Sequence, residues 1–127
     1  MLAALIVIAL LLILIDGIWI YFVAGPLFTD MVAEIQKQPV QINRWGVFLS
    51  YACLVIGIYY FGYLNTDKQN IWKSAIPAGV FGLLAYGVFD ATNLALFNDY
   101  SAETALVDTA WGGFVCYITT VLAAYLV

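Results

Sequence analysis

Four long apolar runs constrain this chain more than any other feature. Each run is long enough to cross a bilayer as a helix, which takes about 20 residues. The predicted spans cover residues 2–24, 44–64, 72–97 and 102–127. Only 9% of the 127 residues are charged, against roughly 25% in a typical soluble domain. The sequence therefore predicts an all-α integral membrane protein, a multi-pass four-helix bundle forming a single transmembrane domain over residues 1–127.

Turn and capping signals mark the ends of these spans. Gly25 and Pro26 form a pair that is typical of a helix end, and they close the first span. Short loops such as residues 65–70 place consecutive spans antiparallel. Ser101 is a candidate N-cap for the fourth span, and Pro77 predicts a bend early in the third.

The connection between the first two spans has a helical pattern of its own. Its apolar side chains recur at helical spacing, at Leu27, Phe28, Met31, Val32 and Ile35. Asp30, Glu34 and Lys37 lie opposite them. This pattern predicts a short amphipathic helix in the membrane interface or across the end of the bundle. Docking on the bundle is favoured over recruitment of a partner protein.

Basic residues do not decide the orientation of the bundle. Lys68 and Lys73 flank the side predicted to carry both termini, while Lys37 and Arg44 flank the other side. The positive-inside comparison is therefore a tie. We expect both termini on the same side, and the N-terminal amine favours the cytoplasm for that side.

Composition argues against several classes of function. The formal net charge of −4 provides no basic patch for nucleic acid. The absence of histidine removes the commonest general base and metal ligand. Cys53 and Cys116 lie inside apolar runs and are expected to be small core residues.

Aspartates inside three of the four spans are the main candidates for function. Asp16 lies eight residues before Ala24, and Asp90 lies seven before Phe97. Asp108 lies five residues after Glu103. At about 1.5 Å per residue, each carboxyl group lies roughly 8–12 Å inside the same end of the bundle. The topology therefore predicts that carboxyl groups from three helices meet at one depth.

Helical spacing adds polar and aromatic neighbours to these acids. Tyr86, Asp90 and Asn93 share one stripe of the third span. The predicted ligand- or ion-binding residues are Asp16, Trp19, Tyr51, Tyr86, Asp90, Asn93, Asp108 and Trp111, with Ser50 at a similar depth.

The acids create an electrostatic problem, because no lysine or arginine lies in the interior of a span. Each ionised aspartate near a helix centre costs about 2.5–3.5 kcal/mol on insertion scales. A retained proton or a bound cation would relieve that cost. The first hypothesis is a protein that binds or passes a proton or a hard cation, since oxygen ligands suit such cations. Structural hydrogen bonding between helices is the alternative explanation of the same residues.

Two other functions stay open. Paired carboxyl groups can also serve a membrane-embedded lipid-binding protein or lipid-modifying enzyme. Against catalysis, the sequence offers no nucleophile paired with a base and no glycine-rich phosphate loop. The third hypothesis is an accessory subunit of a membrane complex, with a second copy or another membrane protein as its partner. The sequence identifies no cofactor, and its partners are the lipid bilayer and a cation, proton or lipid ligand.

Three motifs resemble those of one family of small membrane proteins. They are D-x-x-W from Asp16, Y-x-x-x-D-x-T-N from Tyr86, and D-x-x-W-G from Asp108. The resemblance spans essentially the whole chain and indicates the four-helix domain of unknown function DUF2177. It implies the same fold and picks out the same acids, but it implies no activity. Phe89 departs from the pattern, because a tyrosine is expected before Asp90.

Overall fold

The computed structural model describes residues 1–127, and they form helices and loops without a β-strand. Four helices are long and apolar enough to cross a membrane: α1 (Leu2–Gln36), α2 (Arg44–Asn65), α3 (Ile71–Leu96) and α4 (Ala102–Leu126). The predicted fold class, an all-α four-helix membrane protein, is confirmed.

The first helix does not end at Gly25 and Pro26, so the predicted helix end there is wrong. The chain widens into a π-helical turn over Ile20–Ala24 and continues as α-helix to Gln36. The amide of Gly25 donates to the carbonyl of Ile20 within this turn. A Cβ atom at Gly25 would lie 2.6 Å from that carbonyl oxygen, so the close approach requires glycine. The wide turn accommodates the proline without breaking the helix.

The last three turns of α1 pack across one end of the bundle. The ring of Phe28 lies 6.3 Å from the ring of Tyr100, centroid to centroid. The amide of Ser101 donates to the sulfur of Met31 over 3.3 Å. The amphipathic segment is therefore helical and continuous with α1, while its position in the membrane interface stays a prediction.

The third and fourth helices form the most closely packed pair. A Cβ atom at Gly82 would lie 2.0 Å from the carbonyl oxygen of Gly112, so the two backbones approach where neither residue has a side chain. The predicted N-cap is confirmed, because the hydroxyl of Ser101 accepts from the amide of Thr104. The predicted bend near Pro77 appears as an interruption at Ala75, immediately before a helix with proline in its first turn.

Helix α2 is unevenly packed along its length. Its second half contributes Ile58, which is fully buried together with Ile8, Leu12 and Val115 from the other helices. Every residue from 36 to 50, by contrast, is exposed. The first two turns of α2, residues 44–50, therefore stand away from the core. They leave a cleft beside the polar contacts formed by α1, α3 and α4.

Candidate functional site

Asp16 is a buried carboxyl group with a donor on each oxygen. Its side chain is only 7% exposed. Oδ2 accepts from the Tyr51 hydroxyl over 2.5 Å, and Oδ1 accepts from the Trp111 indole over 2.9 Å. These contacts join α1 to α2 and α4. The structure thus brings together three of the residues predicted from the sequence.

Asp90 is the most deeply buried of the three acids, at 1% exposure. Its Oδ1 accepts from the Tyr100 hydroxyl over 2.7 Å, and its Oδ2 accepts from the Thr109 hydroxyl over 3.1 Å. Both donors lie outside the predicted site. Thr109 lies on α4 next to Asp108, and Tyr100 lies in the loop before α4, where helical periodicity does not apply.

Asp108 links the two carboxyl networks. It is 8% exposed, its carboxyl group lies within hydrogen-bonding reach of Asp90, and Asp16 is the next nearest acid. No N–H or O–H group of the chain donates to Asp108, whereas Asp16 has a donor on each oxygen.

Aromatic side chains enclose this polar region. The indole rings of Trp19 and Trp111 stack with centroids 4.4 Å apart and planes 3° apart. The indole N–H of Trp19 is buried without a hydrogen-bond partner. Tyr86 packs over Gly112 at the position that a Cβ atom would occupy. Trp19 thus lines the site, and its indole N–H donates to no acceptor of the protein.

Asn93 lies on the far side of Asp90. It lines a separate, mostly apolar cavity of about 310 Å³ with Phe28, Phe97 and Tyr100. Burial and the hydrogen bond to Asp90 raise the pKa of the Tyr100 phenol above its usual value near 10. Tyr100 therefore remains a donor to Asp90 throughout the physiological pH range.

The uneven packing of α2 opens a cavity of about 480 Å³ next to the acids. Asp16 and Asp108 both line it, and the surrounding walls are mainly apolar. The other lining residues are Trp19, Ile20, Ala24, Gly25, Phe28, Ser50, Cys53, Leu54, Ala85, Tyr86 and Phe89. Of the predicted site residues, Tyr51, Asp90, Asn93 and Trp111 lie behind this lining rather than in it.

Two residues of α2 line the cavity but do not have the roles expected from the sequence. Cys53 is exposed, so its assignment to the core is wrong, because α2 stands away from its neighbours there; Cys116 is buried as expected. Ser50 lines the cavity, but its hydroxyl donates to the Gly46 carbonyl over 2.8 Å. Its contribution is to the helix rather than to the carboxyl groups.

The three acids do not form a metal-binding cluster. No group of three or more aspartate, glutamate, cysteine or histidine side chains is arranged to hold a metal ion. The carboxyl groups instead form two hydrogen-bonded networks that meet at Asp108. This arrangement holds protons and hydrogen-bond donors better than a cation that requires six or more oxygen ligands.

Four membrane-spanning helices around buried aspartates define a small multi-pass integral membrane protein. The model of the family described as predicted membrane protein (DUF2177) matches residues 1–125. The chain belongs to this family, so the resemblance of its three motifs is confirmed. Comparisons with curated proteins and with solved structures gave no match.

Proposed function

We propose that this protein binds a proton inside the membrane, shared between Asp90 and Asp108. One observation carries the proposal: Asp90 and Asp108 are buried together in the bundle, and the carboxyl group of Asp108 lies beside that of Asp90, next to the Thr109 hydroxyl that donates to Asp90 over 3.1 Å. Ionised carboxylates only accept hydrogen bonds, so a bond between two of them requires that one carries a proton. The proton belongs to the pair rather than to one residue.

The surroundings of the pair support proton retention. Asp90 is 1% exposed and Asp108 is 8% exposed, and an ionised group loses its hydration at such sites. The four lysines and arginines of the chain are Lys37, Arg44, Lys68 and Lys73, which lie in connections or at helix ends. No basic side chain in the interior of a helix neutralises the acids, so a proton is the available counter-charge.

The same surroundings favour a binding site over a continuous pore. Asp108 lines the cavity, which provides a route for proton exchange on that side. Beyond the acids, the centre of the bundle is filled by the fully buried side chains of Ile8, Leu12 and Val115. A dry apolar layer of this kind interrupts proton transfer. The proposed activity is therefore reversible protonation from the cavity side.

The proposal is tested by infrared spectroscopy of the protein in lipid nanodiscs at neutral pH. A protonated carboxyl group has a C=O stretch distinct from that of a carboxylate, and the band shifts in D₂O. We expect the wild type to show one such band and Asp108→Asn to lose it. Asp30→Asn, which replaces an exposed acid, is the control and should retain the band. A wild-type spectrum without the band would contradict the proposal.

Binding of an amphiphile is a second candidate function, favoured by the cavity itself. Its volume of about 480 Å³ falls within the range of small-molecule sites, about 300–1,000 Å³. Nine of its thirteen lining residues are hydrophobic, and two are carboxylic acids. This lining suits a molecule with one apolar part and one polar head.

A further inference from the structure

The cavity beside the acids has the features of a ligand site rather than a packing defect. Apolar voids inside proteins are usually dry and lined by apolar atoms alone. Here Asp16 and Asp108 lie in the lining, together with the face of Trp19. A ligand that enters this space meets charge and hydrogen-bond acceptors at its inner end.

The two acids in the lining differ in the number of hydrogen-bond donors that the protein provides to them. Asp16 accepts from Tyr51 and from Trp111, one donor for each oxygen. Asp108 is more than nine-tenths buried and lines the cavity, and no N–H or O–H group of the chain donates to it. Its carboxyl group thus borders the cavity without a donor. Buried acceptors in this position usually receive a hydrogen bond from a ligand or water.

Charge decides the kind of head group that fits. The lining contains two acids and no lysine or arginine. A phosphate or carboxylate head group would be repelled and would find no basic partner, which excludes ordinary phospholipids as well-matched ligands. A protonated amine matches both the missing donor and the negative charge.

The residues at the outer part of the cavity determine the polarity of the rest of the ligand. Ile20 is 45% exposed and Phe89 is 54% exposed, and both line the cavity on helices that span the membrane. Their exposed surfaces therefore face lipid, and the first half of α2 leaves the space between them open. An apolar tail placed here would lie along lipid chains.

We propose that the cavity binds an amphiphile with a protonated amine head and a single apolar tail, and that the ammonium group displaces the shared proton. This inference rests on the proposed function, because it uses the proton held by Asp90 and Asp108. The ammonium donates to the Asp108 carboxylate, and the displaced proton leaves through the cavity to water. Charge balances, since one cation enters and one proton departs.

The titratable groups near Asp108 are Asp16 on α1, Tyr86 and Asp90 on α3, and Tyr100 in the loop before α4. None carries a positive charge in any protonation state, so the incoming ammonium is the one cation at the site. Linkage then requires that binding become about tenfold tighter per pH unit while one proton is released.

The test is titration calorimetry of the full chain in nanodiscs, with dodecylammonium chloride as the probe. Titrations in two buffers with different ionisation enthalpies give the number of protons released. We expect saturable binding with release of one proton per ligand. Between pH 6 and 8, where dodecylammonium keeps its charge, its binding should show the tenfold dependence per pH unit. Dodecanol and dodecyl sulfate should not compete with the amine.

Two matched variants separate the ligand site from the proton site. Ala85→Phe fills the cavity from a half-buried lining position and leaves all three acids in place. We expect it to lose amine binding and keep the infrared band of the protonated carboxyl group. Ala95→Phe places the same substitution at an exposed position on the same helix and should bind like the wild type.

The failures of the two proposals are distinguishable. Equal amine uptake by the wild type, Ala85→Phe and empty nanodiscs would overturn the ligand assignment, whether or not the infrared band is present. Binding without proton release would overturn the displacement step, as would dodecanol that binds as tightly as the amine. Absence of the infrared band itself would overturn the proposed proton site.

Discussion

The two sides of this bundle are built in opposite ways. On one side, α3 and α4 approach closely at Gly82, where a Cβ atom would lie 2.0 Å from the Gly112 carbonyl oxygen. On the other side, residues 44–50 at the start of α2 are exposed and leave a cavity of about 480 Å³. The closed side holds Asp90 and Asp108 in place, and the open side brings the cavity to Asp108. The proposed proton site uses both sides.

Truncation of leucine should cost most in the packed core and least on the open side. Leu12 on α1 is fully buried in the core, whereas Leu49 in the first half of α2 is 62% exposed. We expect Leu12→Ala to reduce the free energy of unfolding by about 2–5 kcal/mol, because it leaves a cavity in the packed core. Leu49→Ala should change it by less than about 0.5 kcal/mol. Reversible unfolding in mixed micelles measures both, and equal losses would remove the contrast between the two sides.

Glycine substitution tests the contact between α3 and α4 directly. A Cβ atom at Gly82 meets the carbonyl oxygen of Gly112 at 2.0 Å, whereas at Gly87 the nearest atom is 3.6 Å away. We expect Gly82→Ala to cost about 1–3 kcal/mol by forcing the helices apart. Gly87→Ala on the same helix should cost much less. Thermal unfolding of the two variants makes the comparison, and similar melting temperatures would contradict the close approach.

The Tyr51 hydroxyl should be a principal tether between α2 and the buried acids. It donates to Asp16 over 2.5 Å, and polar contacts between membrane helices contribute about 1–2 kcal/mol. We expect Tyr51→Phe to destabilise the protein by this amount and to increase hydrogen exchange of α2 amides. Tyr60→Phe, at a position 59% exposed, is the control. Unchanged exchange in Tyr51→Phe would show that other contacts hold α2.

Alkaline stability should report the smaller contribution of Tyr100. Its pKa is raised in the folded protein, first by burial and then by the hydrogen bond to Asp90. The folded state therefore keeps this proton longer than the unfolded state, so the contribution is complete below pH 10 and is lost as pH rises above it. We expect Tyr100→Phe to cost about 1 kcal/mol at neutral pH and progressively less in alkali. A loss that is the same at every pH would contradict this assignment.

The sequence predicts the spans and the acids well because both signals are local. Apolar runs of sufficient length require helices in a membrane, and counting residues along antiparallel helices places the carboxyl groups of Asp16 and Asp108 near each other. The Gly25–Pro26 pair gives a wrong prediction because its signal is also local. It is a strong local stop signal, yet a π-helical turn bonded to Ile20 carries the helix through it.

The donors to Asp90 could not be predicted from periodicity. Tyr100 reaches Asp90 from a loop, and loop conformation depends on tertiary packing that a helical stripe does not describe. Cys53 is misassigned because the distance between α2 and its neighbours is also a tertiary property. The sequence thus locates the acids. Only the three-dimensional structure shows that Asp16 has hydrogen-bond donors and that Asp108 lacks one.

Carboxyl ¹³C NMR of the aspartate-labelled protein in lipid shows whether Asp90 and Asp108 share one proton. Single Asp→Asn variants assign each signal. We expect that at neutral pH these two residues together carry one proton and titrate as a coupled pair, and that Asp108→Asn changes the signal of Asp90. Two fully ionised carboxylates that titrate independently would contradict it.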